Sequence, residues 1–308
     1  VKNMTSVRTC QLMEFSEVWL QQILTGMIFS LIFLMSITGN ILIIILSTFD
    51  QYLHTPMYIL LKQLSLLDLC SISITIPNTI IDTWTKSSSI SLGCIVQAFL
   101  VVSLACIEMA FLTVMSYDCY VAICHPVHYE VIMKRSTCVK MATYSWFSGG
   151  VSGILHTATT FSLPLRASNL VHQFFCEIPQ LLRLSCSDNY LAEVGAVAVT
   201  SSLSFACFVS ITLSYIYIFS TVLKMPSAIG QSKAFPICVP HLMVILFFLS
   251  AAAAYLKLST DIPAVSDLLV SVLYTAVPPT LNPIIYSLKN KDMKAALQKF
   301  LKIKYLSS

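Results

Sequence analysis

MSYDCYVAICHPVHY, residues 115–129, marks where a long apolar run stops and a polar loop begins. Asp118 stands in it between Tyr117 and Tyr120, and His125-Pro126 follows about two helical turns later. Upstream, the apolar run covers roughly 92–123. About 20 mostly apolar residues suffice to cross the hydrocarbon core, so Asp118 falls where a membrane helix would leave the bilayer. Six more runs of this kind occur, at roughly 23–47, 57–81, 138–161, 191–223, 234–257 and 266–288, divided by short polar loops. They lack period-2 alternation and far exceed the ~10 residues of a barrel strand. The expected fold is an all-α membrane protein, a seven-transmembrane-helix bundle.

Composition agrees. Hydrophobic residues are 56% of the 308 and charged residues 10%, against about 25% charged in a soluble domain. Mean hydropathy is +0.81. Basic residues set the expected orientation. With the N-terminus outside, the cytoplasmic segments hold eleven: Lys134, Arg135, Lys140, Lys224, Lys233 and the tail's Lys289, Lys291, Lys294, Lys299, Lys302 and Lys304. The outer segments hold six: Lys2, Arg8, Lys86, Arg166, Arg183 and Lys257. The net charge of +4 therefore reads as an orientation signal; no basic stripe interleaved with aromatics suggests nucleic acid. One seven-helix unit is expected over 1–308: an outer segment 1–22, a bundle 23–288 and a cytoplasmic tail 289–308. In the tail, KDMKAALQKFLKIKY puts Met293, Leu297, Phe300 and Leu301 on one helical face, as in a short amphipathic interfacial helix on the inner leaflet. The first run is expected to serve as its own insertion signal. Asn3-Met4-Thr5 is a glycosylation sequon on the outer segment, which makes Asn3 the candidate acceptor.

The chemistry-bearing residues are few. Eleven cysteines form no CxxC pair and no zinc spacing. His125, His128, Asp118 and Cys124 lie together, but with no serine nucleophile and no metal-ligand spacing. An enzyme is therefore disfavoured. A transporter would need repeat halves or paired broken helices, and neither is visible. Two acids, Asp68 and Glu108, lie mid-run in the second and third runs. A carboxylate there costs several kcal/mol unless it is paired, hydrated or protonated, which leaves a hard cation or a proton as the companion.

Segment 115–129 resembles the inner end of the third helix of the odorant receptors, a rhodopsin-like family coupled to G proteins. Its usual pattern is Met-Ala-Tyr-Asp-Arg-Tyr-Val-Ala-Ile-Cys-His-Pro-Leu-His-Tyr. LHTPMY (53–58), SYIYI (214–218), KAFPICVPHL (233–242) and PPTLNPIIYSLKNK (278–291) carry the resemblance over nearly the whole chain, in order and at the family's spacing. It implies a plasma-membrane receptor that binds a small hydrophobic odorant and activates a stimulatory G protein to raise cAMP. It places Asp118, Cys119, Tyr120, Tyr215, His241, Asn282, Pro283 and Tyr286 in the coupling and switch machinery. It implies a Cys94–Cys176 disulfide over the outer face, and leaves Cys186 unpaired or joined to another cysteine such as Cys10. It implies a mid-depth polar network of Asn40, Asp68 and Asn282, with a sodium ion shared by Asp68 and Glu108. On the residues alone, two protonated acids bonded to their neighbours fit as well.

Three departures stand out: Cys119 where the family has Arg, Arg166 where it has Cys, and Pro236 where it has Ser. Arg offers five donors and a fixed charge, whereas Cys offers one weak donor. The alternative is thus a divergent receptor with impaired or absent coupling, or one with raised basal activity. The ligand site is expected in the outer half of the bundle. Its candidates are Val101, Val102, Ala105, Cys106 and Met109 on the third run and Thr200 and Leu203 on the fifth. Ala252, Ala253 and Leu256 on the sixth run and Val272 and Thr275 on the seventh face them. These are small and mostly apolar side chains, suited to a dry cavity for a volatile hydrophobic molecule.

Overall fold

In the computed structural model, the described residues are 11–12, 19–50, 53, 55–85, 92–162, 170–171, 191–224, 242, 245–246, 276–277, 279–284 and 291–306. Five long helices dominate: α1 (Trp19–Phe49), α2 (Pro56–Thr85), α3 (Leu92–Cys124), α4 (Arg135–Ser162) and α5 (Leu191–Lys224). Each overlaps one of the first five apolar runs and overshoots it by a few residues at most ends. Four of them, α1, α2, α3 and α5, are both long enough and apolar enough to cross a bilayer. α4 matches them in length, but Ser, Thr and Gly dilute its apolar character. Helices are the natural outcome, because a helix satisfies its backbone polar groups internally in a medium that offers no partners. The sixth and seventh runs fall largely outside the described residues. From the seventh, residues 276–277 and 279–284 are helical.

α3 is the central element. It packs against α2, α4 and α5, while α1 lies against α2. The main core joins Leu60, Leu61, Leu64 and Leu67 of α2 to Ile107, Phe111, Leu112 and Met115 of α3, with Ile211, Tyr215 and Ile218 from α5. α4 approaches α3 most closely at two glycines. A Cβ on Gly149 would stand 2.8 Å from the Ser103 carbonyl oxygen, and one on Gly153 2.9 Å from that of Phe99. Small residues four apart allow such backbone contact between membrane helices.

The loops at the α1–α2 and α3–α4 ends are short and tied. Leu53 and Tyr58 of LHTPMY are buried, and Pro56 takes the first helical position of α2, where its missing N–H costs nothing. α3 ends before Pro126, which cannot continue it. A 3-10 turn (Pro126–His128) and a one-turn helix (Tyr129–Ile132) then lead into α4. Val121, Met133 and Cys138 form a small cluster that fixes this corner. The C-terminal helix, Lys291–Leu306, buries Met293 and Ala296 and lies against α1. Lys299 Nζ reaches Asp50 Oδ2 at 3.5 Å. Among the described residues the one extended pairing is a two-residue parallel bridge, Gln11–Leu12 with Leu170–Val171.

Candidate functional site

Among the described residues, two polar constellations lie in the bundle. The first is at mid-depth. Asn40 is wholly buried on α1 and donates from Nδ2 to the carbonyls of Ser36 (3.0 Å) and Pro279 (2.9 Å). Ser36 Oγ donates to the same Pro279 carbonyl at 2.9 Å. Pro283 removes a helical donor, and the freed backbone of 279–284 is satisfied by α1. Gly39 makes room for this segment, since a Cβ there would lie 2.8 Å from Pro283 Cβ. Asn282 Nδ2 donates to Asp68 Oδ2 on α2 at 3.0 Å, and both residues are buried. Glu108 on α3 is close enough to Asp68 for its carboxyl to act on it electrostatically. Asn40, Asp68 and Asn282 thus lie in one network across α1, α2 and 279–284, with Glu108 at its edge. Asn40 Oδ1 and Glu108 Oε1 are buried with no hydrogen-bond partner. The unpartnered Glu108 oxygen and the Asp68 carboxylate form a hard, oxygen-only donor pair, which fits sodium. No group of three or more His, Cys, Asp and Glu that could hold a metal occurs among the described residues.

The second constellation is the inner end of α3. Asp118 and Cys119 are both buried, at 4% and 5% exposure. Cys119 belongs to the main core cluster. Asp118 has a partner the sequence did not suggest: Tyr129 Oη donates to its Oδ1 at 2.8 Å. The 3-10 turn folds Tyr129 back over Asp118. Burial, and then the Asp118 carboxylate, push the Tyr129 phenol well above its ordinary value, so it stays protonated as the donor. Tyr120 shares a hydrogen bond with His125 Nε2 (3.0 Å) and packs on the Tyr217 ring at 5.9 Å. Cys124 Sγ and Thr221 Oγ1 lie 3.3 Å apart. The inner ends of α3 and α5 are thereby joined, with Tyr215 buried between them against Phe219.

The ligand candidates divide. Val102, Ala105 and Met109 keep exposed or half-exposed surface although α3 is packed by three helices, so they border the side those helices leave uncovered. Val101 leans on Phe29, Ile72, Ile76 and Ala276. Cys106 turns toward Ser152 of α4 and Cys207 of α5. Thr200 hydrogen-bonds His156 of α4 at 2.8 Å, so its hydroxyl faces α4. Leu203 is 53% exposed. The inward stripe of α5 runs instead through Ala196, Thr200, Ser204, Cys207 and Ile211, one position out of phase with Leu203. Ala252, Ala253, Leu256, Val272, Thr275, His241, Tyr286, Cys176, Cys186, Asn3, Arg166 and Pro236 lie outside the described residues, as does the side chain of Cys94. The Cys94–Cys176 expectation therefore lies outside them too.

The family model described as olfactory receptor matches residues 29–304. The chain belongs to the olfactory receptor family. It is 52% identical to human olfactory receptor 14A16 over 301 residues, covering 97% of each chain. It is 50% identical to human olfactory receptor 14J1, over 97% of this chain and 94% of the relative. Against gorilla olfactory receptor 1G1 it is 39% identical over the full chain and 99% of the relative. The receptor is thus a multi-pass plasma-membrane protein of the G-protein-coupled class with an odorant as ligand, and it is not an enzyme.

Proposed function

We propose that this receptor takes a small hydrophobic volatile molecule into the outer half of its bundle and activates a stimulatory G protein, raising cAMP. The observation that carries the proposal is the buried network of Asn40, Asp68, Asn282 and the Pro279 carbonyl. It links three helical segments through bonds that a change in the proline-kinked segment would exchange, as a two-state switch requires. Val102, Ala105 and Met109 offer an apolar wall to the ligand, and the α5 contribution comes from Ser204 and Cys207 in place of Leu203. The N-terminus, with Asn3 glycosylated, lies outside and the C-terminus inside. A Cys94–Cys176 bond closes the outer face. Sodium held by Asp68 and Glu108, with the Asn40 oxygen nearby, would neutralise two like charges in the resting state. The test is odorant-driven cAMP in cells with the receptor verified at the surface, using a panel of volatile hydrophobic compounds. A response lost in Asn282→Ala at equal surface level supports the proposal; a response unaffected by it opposes the switch.

One observation favours a second reading, a receptor that folds and binds but couples poorly. Cys119 is buried in the core and presents no cation at the inner face. Tyr129, a tyrosine in the family pattern as well, still bonds Asp118, so the resting fold survives the loss of the group that would meet the G protein. Cys119→Arg separates the two readings.

A further inference from the structure

Lys62 is the one basic residue of α2, and the switch network does not use it. It lies six residues into α2, about 9 Å from the helix start. It belongs to the stripe Lys62, Leu66, Leu69 and Ser73, which is exposed or half-exposed toward the bilayer. Its Nζ donates to Thr48 Oγ1 on α1 at 2.7 Å. Thr48 gives its own proton to the Ile44 carbonyl at 2.6 Å, so it aims the ammonium without neutralising it. Among the described residues no carboxylate stands within ion-pair range of Lys62. Asp50, just past the end of α1, is paired with Lys299 instead. Gln63, the next residue, is engaged by Trp146 of α4 at 3.1 Å, which leaves Lys62 facing the α1–α2 groove. On the same helix faces deeper in the bundle, seven residues before Thr48 and four after Lys62, Ile41 and Leu66 are 43% and 42% exposed.

An ammonium at the mouth of a lipid-facing groove keeps two donors beyond the one given to Thr48. Basic pockets between membrane helices suit anionic headgroups, and one lysine near the surface favours an anionic lipid about fivefold. We propose that the α1–α2 groove is a binding site for one anionic phospholipid, its headgroup on Lys62 and its acyl chain along Ile41 and Leu66.

Native mass spectrometry of the purified full chain tests this, with dioleoyl phosphatidylserine and dioleoyl phosphatidylcholine supplied in equal amounts. The native chain should retain one phosphatidylserine about fivefold over phosphatidylcholine. Lys62→Gln should lose that preference, while Lys62→Arg and the control Lys299→Gln keep it. Thr48→Val, which retains the charge but removes its guide, should weaken it and decides the matter if Lys62→Gln does not fold. Equal retention of the two lipids by the native chain overturns the proposal, as does a preference unchanged in Lys62→Gln or, failing that variant, in Thr48→Val. Displacement of the lipid by millimolar inorganic phosphate also overturns it, because the site would then be one for free anions.

Discussion

Tyr129→Phe isolates the hydrogen bond that holds Asp118 at the inner end of α3. The substitution deletes one hydroxyl and leaves a buried carboxylate, 4% exposed, without its 2.8 Å donor. A hydrogen bond to a charged group contributes about 1.5–3 kcal/mol. Tyr129 is itself only half-buried, so solvent screening sets the cost near the lower end, about 1.5–2 kcal/mol. At roughly 2–4 °C per kcal/mol, the melting temperature in detergent should fall by about 3–8 °C. Asp118→Ala should cost a similar amount or more, and the double variant should cost less than the sum, since both changes remove one bond. With Cys119→Arg as background, the guanidinium supplies Asp118 with a second donor, so Tyr129→Phe should cost less there. A melting temperature within about 1 °C of the native chain, or full additivity with Asp118→Ala, would refute the claim that Tyr129 holds Asp118.

Three further outcomes follow from other parts of the bundle. Gly153→Ala drives a methyl into the Phe99 carbonyl and the Ser103 side chain and should cost about 1–3 kcal/mol, read as lost surface expression. Gly150→Ala, with nothing within 4 Å of the added carbon, should be neutral or slightly stabilising. Sodium, relative to choline at equal ionic strength, should raise the melting temperature of the native receptor, and both Asp68→Asn and Glu108→Gln should abolish the rise; indifference of the native chain to sodium removes the ion from the account. Cys94→Ser should abolish surface expression whereas Cys186→Ser should be mild, and equal damage from both would show that the pairing is wrong.

The spans were legible because a bilayer imposes length and apolarity, and each is local in sequence. The same uniform apolarity hides rotational phase. α5 is greasy on every face, so nothing in its residues separated Leu203 from Ser204 and Cys207, and the inward stripe emerged only from packing. Asp68 and Glu108 stood out because intramembrane acids are costly, whereas the bond from Asn282 to Asp68 is a feature of the packed helices. The Tyr129–Asp118 bond was invisible because it depends on the 3-10 turn after Pro126, which reverses the chain by an amount no residue pattern specifies. Gly149 and Gly153 carried a signal, small residues four apart, that lies outside any polar motif. The role of Lys62 was hidden for a related reason: its meaning depends on which face of α2 meets lipid.

The central claim is that the inner end of α3 is folded and satisfied without its arginine, and that what it lacks is only the group presented to the G protein. Odorant-driven cAMP in the native chain and Cys119→Arg, matched for surface level on one odorant panel, tests it most directly. The account predicts an odorant response in the native chain, a larger response to the same odorant in Cys119→Arg, and a low basal signal in both. A high basal signal in the native chain, or no gain from the arginine where the native chain already responds, would contradict it.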